Sequence, residues 1–294
     1  MREVGIRSLL LKGPSIAAWL YSDGAARPYA DSDLLVAPGS YSEASDVLRK
    51  LGFYPREYSW HRDSETWLRP RDAGYVDLHR SLIGVEASPD SVWKELTTDT
   101  AVVSVWNIEA EVLRVPARAF HIALHAAQHG VDHLQPIDDL ARALHVVDQR
   151  DWHEAADLAR RLDALPAFAA GLRLDPKGVR LAQRLNLPAN ASPDVALRAA
   201  SDITITIALE RLAREGSLRA RARLLLRALA PSRFYMRHWS GLHMTRWPAA
   251  LRRGSLGLGV AYLWRPIWIL IRLPKAIAGL HRARQRQADE EQNL

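Results

Sequence analysis

Hydrophobic positions follow two different rhythms along this chain. Up to about residue 115 they fall in short runs, rich in β-branched and aromatic residues and bounded by turn formers: 6–11, 34–36, 66–69, 74–79, 102–106 and 111–115. These read as strands. Residues 14–21 read as a helix that tolerates Pro14 in its first turn. Ser40-Tyr41-Ser42-Glu43 has the form of a capping box, opening a helix that ends at Gly52. From Pro116 the spacing changes to threes and fours, through Phe120, Leu124 and Ala127, then Ile137, Leu140, Leu144 and Val147. Helices are expected to about residue 230, broken near Pro166, Pro176, Pro188 and Pro193. Residues 282–294 read as a solvated end. The fold class is therefore α+β: a mixed α/β core sheet with flanking helices, followed by an all-α region. The expected divisions are a core over 1–115, an α-helical domain over 116–230 and a basic, Trp- and Arg-rich helical tail over 231–294.

With 48% of its 294 residues apolar, the chain can bury a substantial core. It has no cysteine, which excludes disulfides and thiolate metal sites and leads us to expect a reducing, cytoplasmic compartment. The apolar run in MREVGIRSLLLKG is too short for a signal peptide. No uninterrupted run reaches the roughly 18 apolar residues of a membrane span; the longest candidate, LGLGVAYLW, stops at Arg265-Pro266.

The stretch RPYADSDLLVAP, residues 27–38, places two carboxylates against a short apolar run. In a strand, residues two apart point to one face, so Asp31 and Asp33 can aim at one point. Two such charges repel unless a cation neutralises them, and a hard divalent ion such as Mg²⁺ (or Mn²⁺), held by oxygen ligands, does so. Asp77, in YVDLH, lies in another alternating strand that can bring a third acid beside them. Three carboxylates converging from two strands form the usual cradle for two metal ions about 3.5–4 Å apart in phosphoryl-type displacements. Taken singly, Asp-x-Asp is often a turn or a cap, and Asp77 a solvated strand residue.

The succession LLLKGPSIAAWLY, Arg27-Pro28, DSDLLV, YVDLH, HAAQHG and DDLAR resembles the bacterial nucleotidyltransferase-like proteins of the polymerase-beta-type superfamily, from about residue 5 to 230. The resemblance implies a nucleotidyltransferase core that moves a nucleoside monophosphate from ATP or another NTP to an acceptor hydroxyl, releasing pyrophosphate. It implies that Asp31 and Asp33 bind the metal pair with the triphosphate, and that Asp77 completes the metal on the nucleophile side and helps activate the acceptor. Gly13 would let a phosphate approach the backbone, Lys12 would offer it a cation, and Arg27 would contact the triphosphate. His79, on the strand face of Asp77, would support the metals, contact nucleotide or serve a structural role. Pro14 and Ser32 depart from the family pattern, which usually has Gly-Ser or Gly-Gly at the first place and an apolar residue at the second. The acceptor stays open between a small molecule, a protein and RNA. Two rival classes are a non-catalytic nucleotide- or partner-binding protein on the same fold, and a peripheral membrane or nucleic-acid adaptor.

His121, His125, His129 and His133 recur every four residues. Such spacing can hold zinc, but H-E-x-x-H is absent and Gly130 is placed to end the helix before His133. The preferred reading is a helical face of packed, hydrogen-bonded histidines, with Asp139 as a partner for one of them.

Charge is divided unevenly. Residues 216–288 hold fourteen Arg and one Lys with no acid, so this segment carries +15 and the remainder −8 of the formal +7. Between Arg233 and Arg286 the arginines are interspersed with Trp239, Trp247, Trp264, Trp268, Tyr235 and Tyr262. Three readings compete, in this order: helices covering the acidic body, an anionic membrane surface at the inner face of the cell membrane, and a nucleic-acid backbone. The prolines and glycines here argue against one long, clean amphipathic helix.

Overall fold

A computed structural model describes residues 1–21, 26–29, 31–55, 63–69, 71, 74–105, 107–130, 133–189, 217–229, 233, 236 and 254–291. It divides into two compact units, Met1–Ala199 and Ala200–Leu294.

The first unit is built on a five-stranded mixed sheet. Its strands are β1 (Ser8–Leu10), β2 (Asp31–Val36), β3 (Tyr54–Pro55), β4 (Ser64–Arg69) and β5 (Gly74–His79), in the order β1-β2-β5-β4-β3. All neighbours are antiparallel except β2 and β5, which run parallel. Helices α1 (Pro14–Leu20), α2 (Tyr41–Lys50) and α3 (Pro89–Leu96) connect these strands and lead to a hairpin, β6 (Thr100–Val105) with β7 (Ile108–Leu113). Asn107 takes φ 64° in the tight turn between them. Helices α4 (Val115–His129), α5 (Leu134–Val146), α6 (Gln149–Arg161), α7 (Leu165–Leu172) and α8 (Pro176–Arg184) follow.

Alternation along the strands separates two cores. Val36, Val76, Leu78 and Trp67 face α2 and pack with Ala44, Leu48 and Phe53. Leu9, Leu11 and Leu35 face the other way and share a core with Phe120, Ile122 and Leu124 of α4 and residues as far as Leu187. Sheet and helical region up to residue 187 are thus joined by one continuous apolar interior.

Several sequence expectations shift at their edges. Strand β2 begins at Asp31, so both acids lie inside the strand. The capping box at Ser40 does not form: Ser40 closes a 3-10 turn with φ −94°, ψ 1°, outside the extended region from which a cap side chain reaches back, and makes no side-chain cap bond. The helices break next to Pro166 and Pro176, as the sequence reading has it, and each proline stands in the first turn of the helix that follows. Pro193 and residue 106 lie outside the described residues.

Helix α7 crosses α4 at Gly171, where an added Cβ would overlap the backbone carbonyl of Ala123. Backbone cannot yield as a flexible side chain can. Gly171→Ala is therefore expected to lower the unfolding free energy by about 3 kcal/mol, the upper end of ordinary overpacking, read as a fall in urea midpoint; an unchanged midpoint would mean that α7 does not sit this close.

In the second unit, α9 (Leu218–Leu229) and α10 (Gly254–Glu291) are described, α10 running through Pro266 and Pro274. Residues 254–291 thus form one long helix despite their prolines and glycines. By length and composition only, Ser255–Pro274 is nevertheless long and apolar enough to cross a membrane, at a mean hydropathy of 1.3 with Arg265 and Arg272 inside it. Tyr235, Trp239 and Trp247 lie outside the described residues.

Candidate active site

The parallel pair β2–β5 sets the site. Its register places Asp33 directly opposite Asp77, with Asp31 opposite Tyr75 and Leu35 opposite His79. Alternation then turns Asp31, Asp33, Asp77 and His79 to the same face. Asp33, Asp77 and His79 present ligating atoms within 4.8 Å of one another, and no other such group of His, Cys, Asp or Glu occurs among the described residues. The zinc reading of the histidine series therefore finds no cluster to support it there.

Lys12 follows β1, which pairs with β2, and its Nζ lies 2.9 Å from Asp33 Oδ1 and 3.7 Å from Asp31 Oδ2. One ammonium thus reaches both members of the Asp-x-Asp pair. His79 donates from Nε2 to Asp33 Oδ1 at 3.1 Å, since an ionised carboxylate can only accept. Asp33 Oδ2, Asp77 Oδ1 and His79 Nδ1 are buried without a hydrogen-bond partner. Buried carboxylate oxygens without donors are costly unless a cation meets them. Together with the oxygen-rich donor set, they fit a hard divalent ion.

Electrostatics divide the acids. Burial pushes the Asp33 carboxyl up, but the Lys12 charge and the His79 hydrogen bond outweigh it and bring its pKa to about 2. Burial raises Asp31, which Lys12 only partly offsets and the charges of Asp33 and Asp77 reinforce. Burial draws Lys12 toward neutrality, yet the charges of Asp33, Asp31 and Asp77 hold it above the ordinary lysine value.

Gly13 takes φ 73°, ψ −119° at the start of α1, and a Cβ there would stand 3.0 Å from the Asp31 carbonyl oxygen. The position needs glycine both for its backbone angle and for this close approach to β2.

Arg27, expected at the triphosphate, is engaged by a carboxylate of α5. Its Nε and Nη2 donate to Asp139 Oδ1 and Oδ2 at 2.9 and 2.7 Å, and both side chains are buried. Tyr21 Oη also donates to Asp139 Oδ1, at 2.8 Å. Asp139, expected beside a histidine, instead ties α5 to the chain before β2.

A profile described as an uncharacterised nucleotidyltransferase family matches residues 1–176 of the 294. The chain belongs to this nucleotidyltransferase family. Comparison with curated proteins returned no match. Among solved structures, the lincosamide antibiotic adenylyltransferase LnuA bound to lincomycin is 12% identical, with a TM-score of 0.35 over 48% of this chain and 88% of that one. An antigenic nucleotidyltransferase-like protein from Paracoccidioides brasiliensis is also 12% identical, with a TM-score of 0.36 over 65% and 89%.

The histidine series borders the site of this nucleotidyltransferase. His121, His125 and His129 lie on α4, Gly130 ends the helix with φ 66°, and His133 stands just before α5 without a side-chain cap bond. Successive rings stand 6.3, 4.5 and 5.2 Å apart between centroids. Burial drives the His121 pKa down to about 3, against a smaller upward pull from the Asp33 charge. Burial, then the neighbouring His129, drives His125 well below the ordinary value. Four-residue spacing reveals the shared face, but only tertiary packing brings His121 near Asp33.

Both buried rings stay neutral in the folded state, whereas in the unfolded chain they take up protons below about pH 6.5. Their contribution to stability is thus full above pH 6.5 and is lost as pH falls from there toward the folded value, about 3 for His121. Asp33 loses its contribution in a lower window, from 3.8 down to about 2. Urea unfolding is expected to show a loss of about 1 kcal/mol per pH unit for each buried ring below pH 6.5. His121→Asn should roughly halve that slope; an unchanged slope would place the uptake elsewhere.

Proposed function

We propose that the protein transfers a nucleoside monophosphate from an NTP, ATP among them, to a hydroxyl acceptor, with a divalent metal (Mg²⁺ or Mn²⁺) held by Asp31, Asp33 and Asp77 and supported by His79. One observation carries this reading: Asp33 and Asp77 face each other across the parallel pair, each with a buried oxygen lacking a donor. When bound, the metal would supply Lewis-acid stabilisation of charge on the phosphoryl oxygens. The chain's own groups do the rest. Lys12 offers an ammonium to the phosphates, and Gly13 keeps side-chain bulk from the adjoining backbone. His79 fixes the orientation of Asp33 through its Nε2–H. Asp77 takes the proton of the acceptor hydroxyl as its oxygen bonds to the α-phosphorus; the bond from that phosphorus to the bridging oxygen breaks and pyrophosphate leaves.

The test is Mg²⁺-dependent pyrophosphate release from each of the four NTPs, with cell extract supplying acceptors, for wild type and Asp33→Asn. Release that requires metal, extract and Asp33 is the expected result. Metal-independent nucleotide binding, unaltered by Asp33→Asn and without turnover, would favour the non-catalytic alternative.

A further inference from the structure

The second unit carries features that nucleotidyl transfer does not use. In α10, Leu258 and Ala261 pack on Met236, and Arg265, 4% exposed, lies on the same side. The opposite side bears Leu256, Leu263, Ile267, Leu270 and Ile277, all exposed. Their steps of seven, four, three and seven trace one line along a helix. Leu263 is 76% and Leu270 63% exposed. In α9, Leu218, Leu225 and Leu229 share a face and are exposed, Leu218 at 80%.

Such stripes on a monomer need an occupant, and charge indicates which. Both stripes lie within residues 216–288, where fourteen Arg and one Lys stand without a single acid. An apolar face in a strongly cationic setting complements an anionic bilayer, whose headgroups attract the charge while its acyl boundary takes the leucines. Trp264 and Trp268 lean half-buried against the Met236–Leu258–Ala261 cluster at one border of the stripe, and Arg272 stacks on the Trp268 ring at 4.4 Å. Amphipathic rings of this kind favour the headgroup level. The buried Arg265 stands midway along Ser255–Pro274 on the protein-packed side, so lipid would meet one side of the helix only. We infer that α9 and α10 dock the protein on an anionic membrane surface, lying in the interface through the Leu256–Ile277 stripe without crossing the bilayer.

The experiment is flotation of the full chain with vesicles of phosphatidylcholine alone or with about 30 mol% phosphatidylglycerol, at about 0.1 and about 0.5 M salt. Binding to the anionic vesicles only, weakened by salt and at least tenfold by Leu263→Gln/Leu270→Gln, is expected. Leu263→Met/Leu270→Met should restore it, and Leu263→Gln alone gives a second reading if the double variant folds poorly. Equal binding to both vesicle types with resistance to alkaline extraction would mean a span, and would overturn the inference. So would no binding, binding indifferent to the Gln substitutions, or a stable dimer in sedimentation that those substitutions dissolve.

Discussion

Asp77→Asn is expected to lower kcat/KM for pyrophosphate release on the order of a thousandfold while leaving stability unchanged or slightly raised. The two halves of this outcome have one cause. Asp77 lies opposite Asp33 in β5, with one oxygen buried and no donor to satisfy it. Its negative charge adds to those of Asp31 and Asp33, which share the ammonium of Lys12. Removing a charge from such a group relieves repulsion, so the folded state loses nothing. The proposed metal site and proton acceptor lose an essential carboxylate. Urea unfolding and turnover of the same preparation separate the effects. Activity within tenfold of wild type would remove Asp77 from the chemistry.

Asp139→Ala is expected to destabilise the first unit by about 3–5 kcal/mol, because it leaves the buried Arg27 guanidinium without its carboxylate. The bond from Tyr21 is lost with it. Replacing both partners by apolar residues, Arg27→Met with Asp139→Leu, should recover most of the loss, since neither charge is then stranded. Arg27→Met alone discriminates the two roles. As a structural tie it lowers the urea midpoint strongly. As a triphosphate contact it would raise KM for NTP with the midpoint unmoved.

Local pattern carried much of this fold. β5 occupies the run 74–79 read from alternation, and α1 begins at Pro14 as its first-turn proline indicates. The two-residue spacing of Asp31 and Asp33 was sufficient to place them on one face, and the order of short motifs was sufficient for the family. The position of Asp77 depended on which strand pairs with β2, and that pairing is set by a crossover through α2, β3 and β4. The link from Arg27 to Asp139 spans 112 residues, and no local rhythm encodes it. Helix α3 carries a local signal of its own: Ser88 accepts from the Ser91 backbone N–H and Pro89 opens the helix. In α10 the helix runs through both prolines, so residue punctuation alone does not mark its ends.

The measurement that tests the central claim most directly is Mn²⁺ binding in the presence of a non-hydrolysable NTP analogue, followed by electron paramagnetic resonance, for wild type and Asp77→Asn. The account predicts that wild type binds the ion and that the variant loses at least tenfold in affinity, without change in its unfolding curve. Equal Mn²⁺ affinity in the two proteins would contradict it, because the carboxylate facing Asp33 would then have no part in holding the metal.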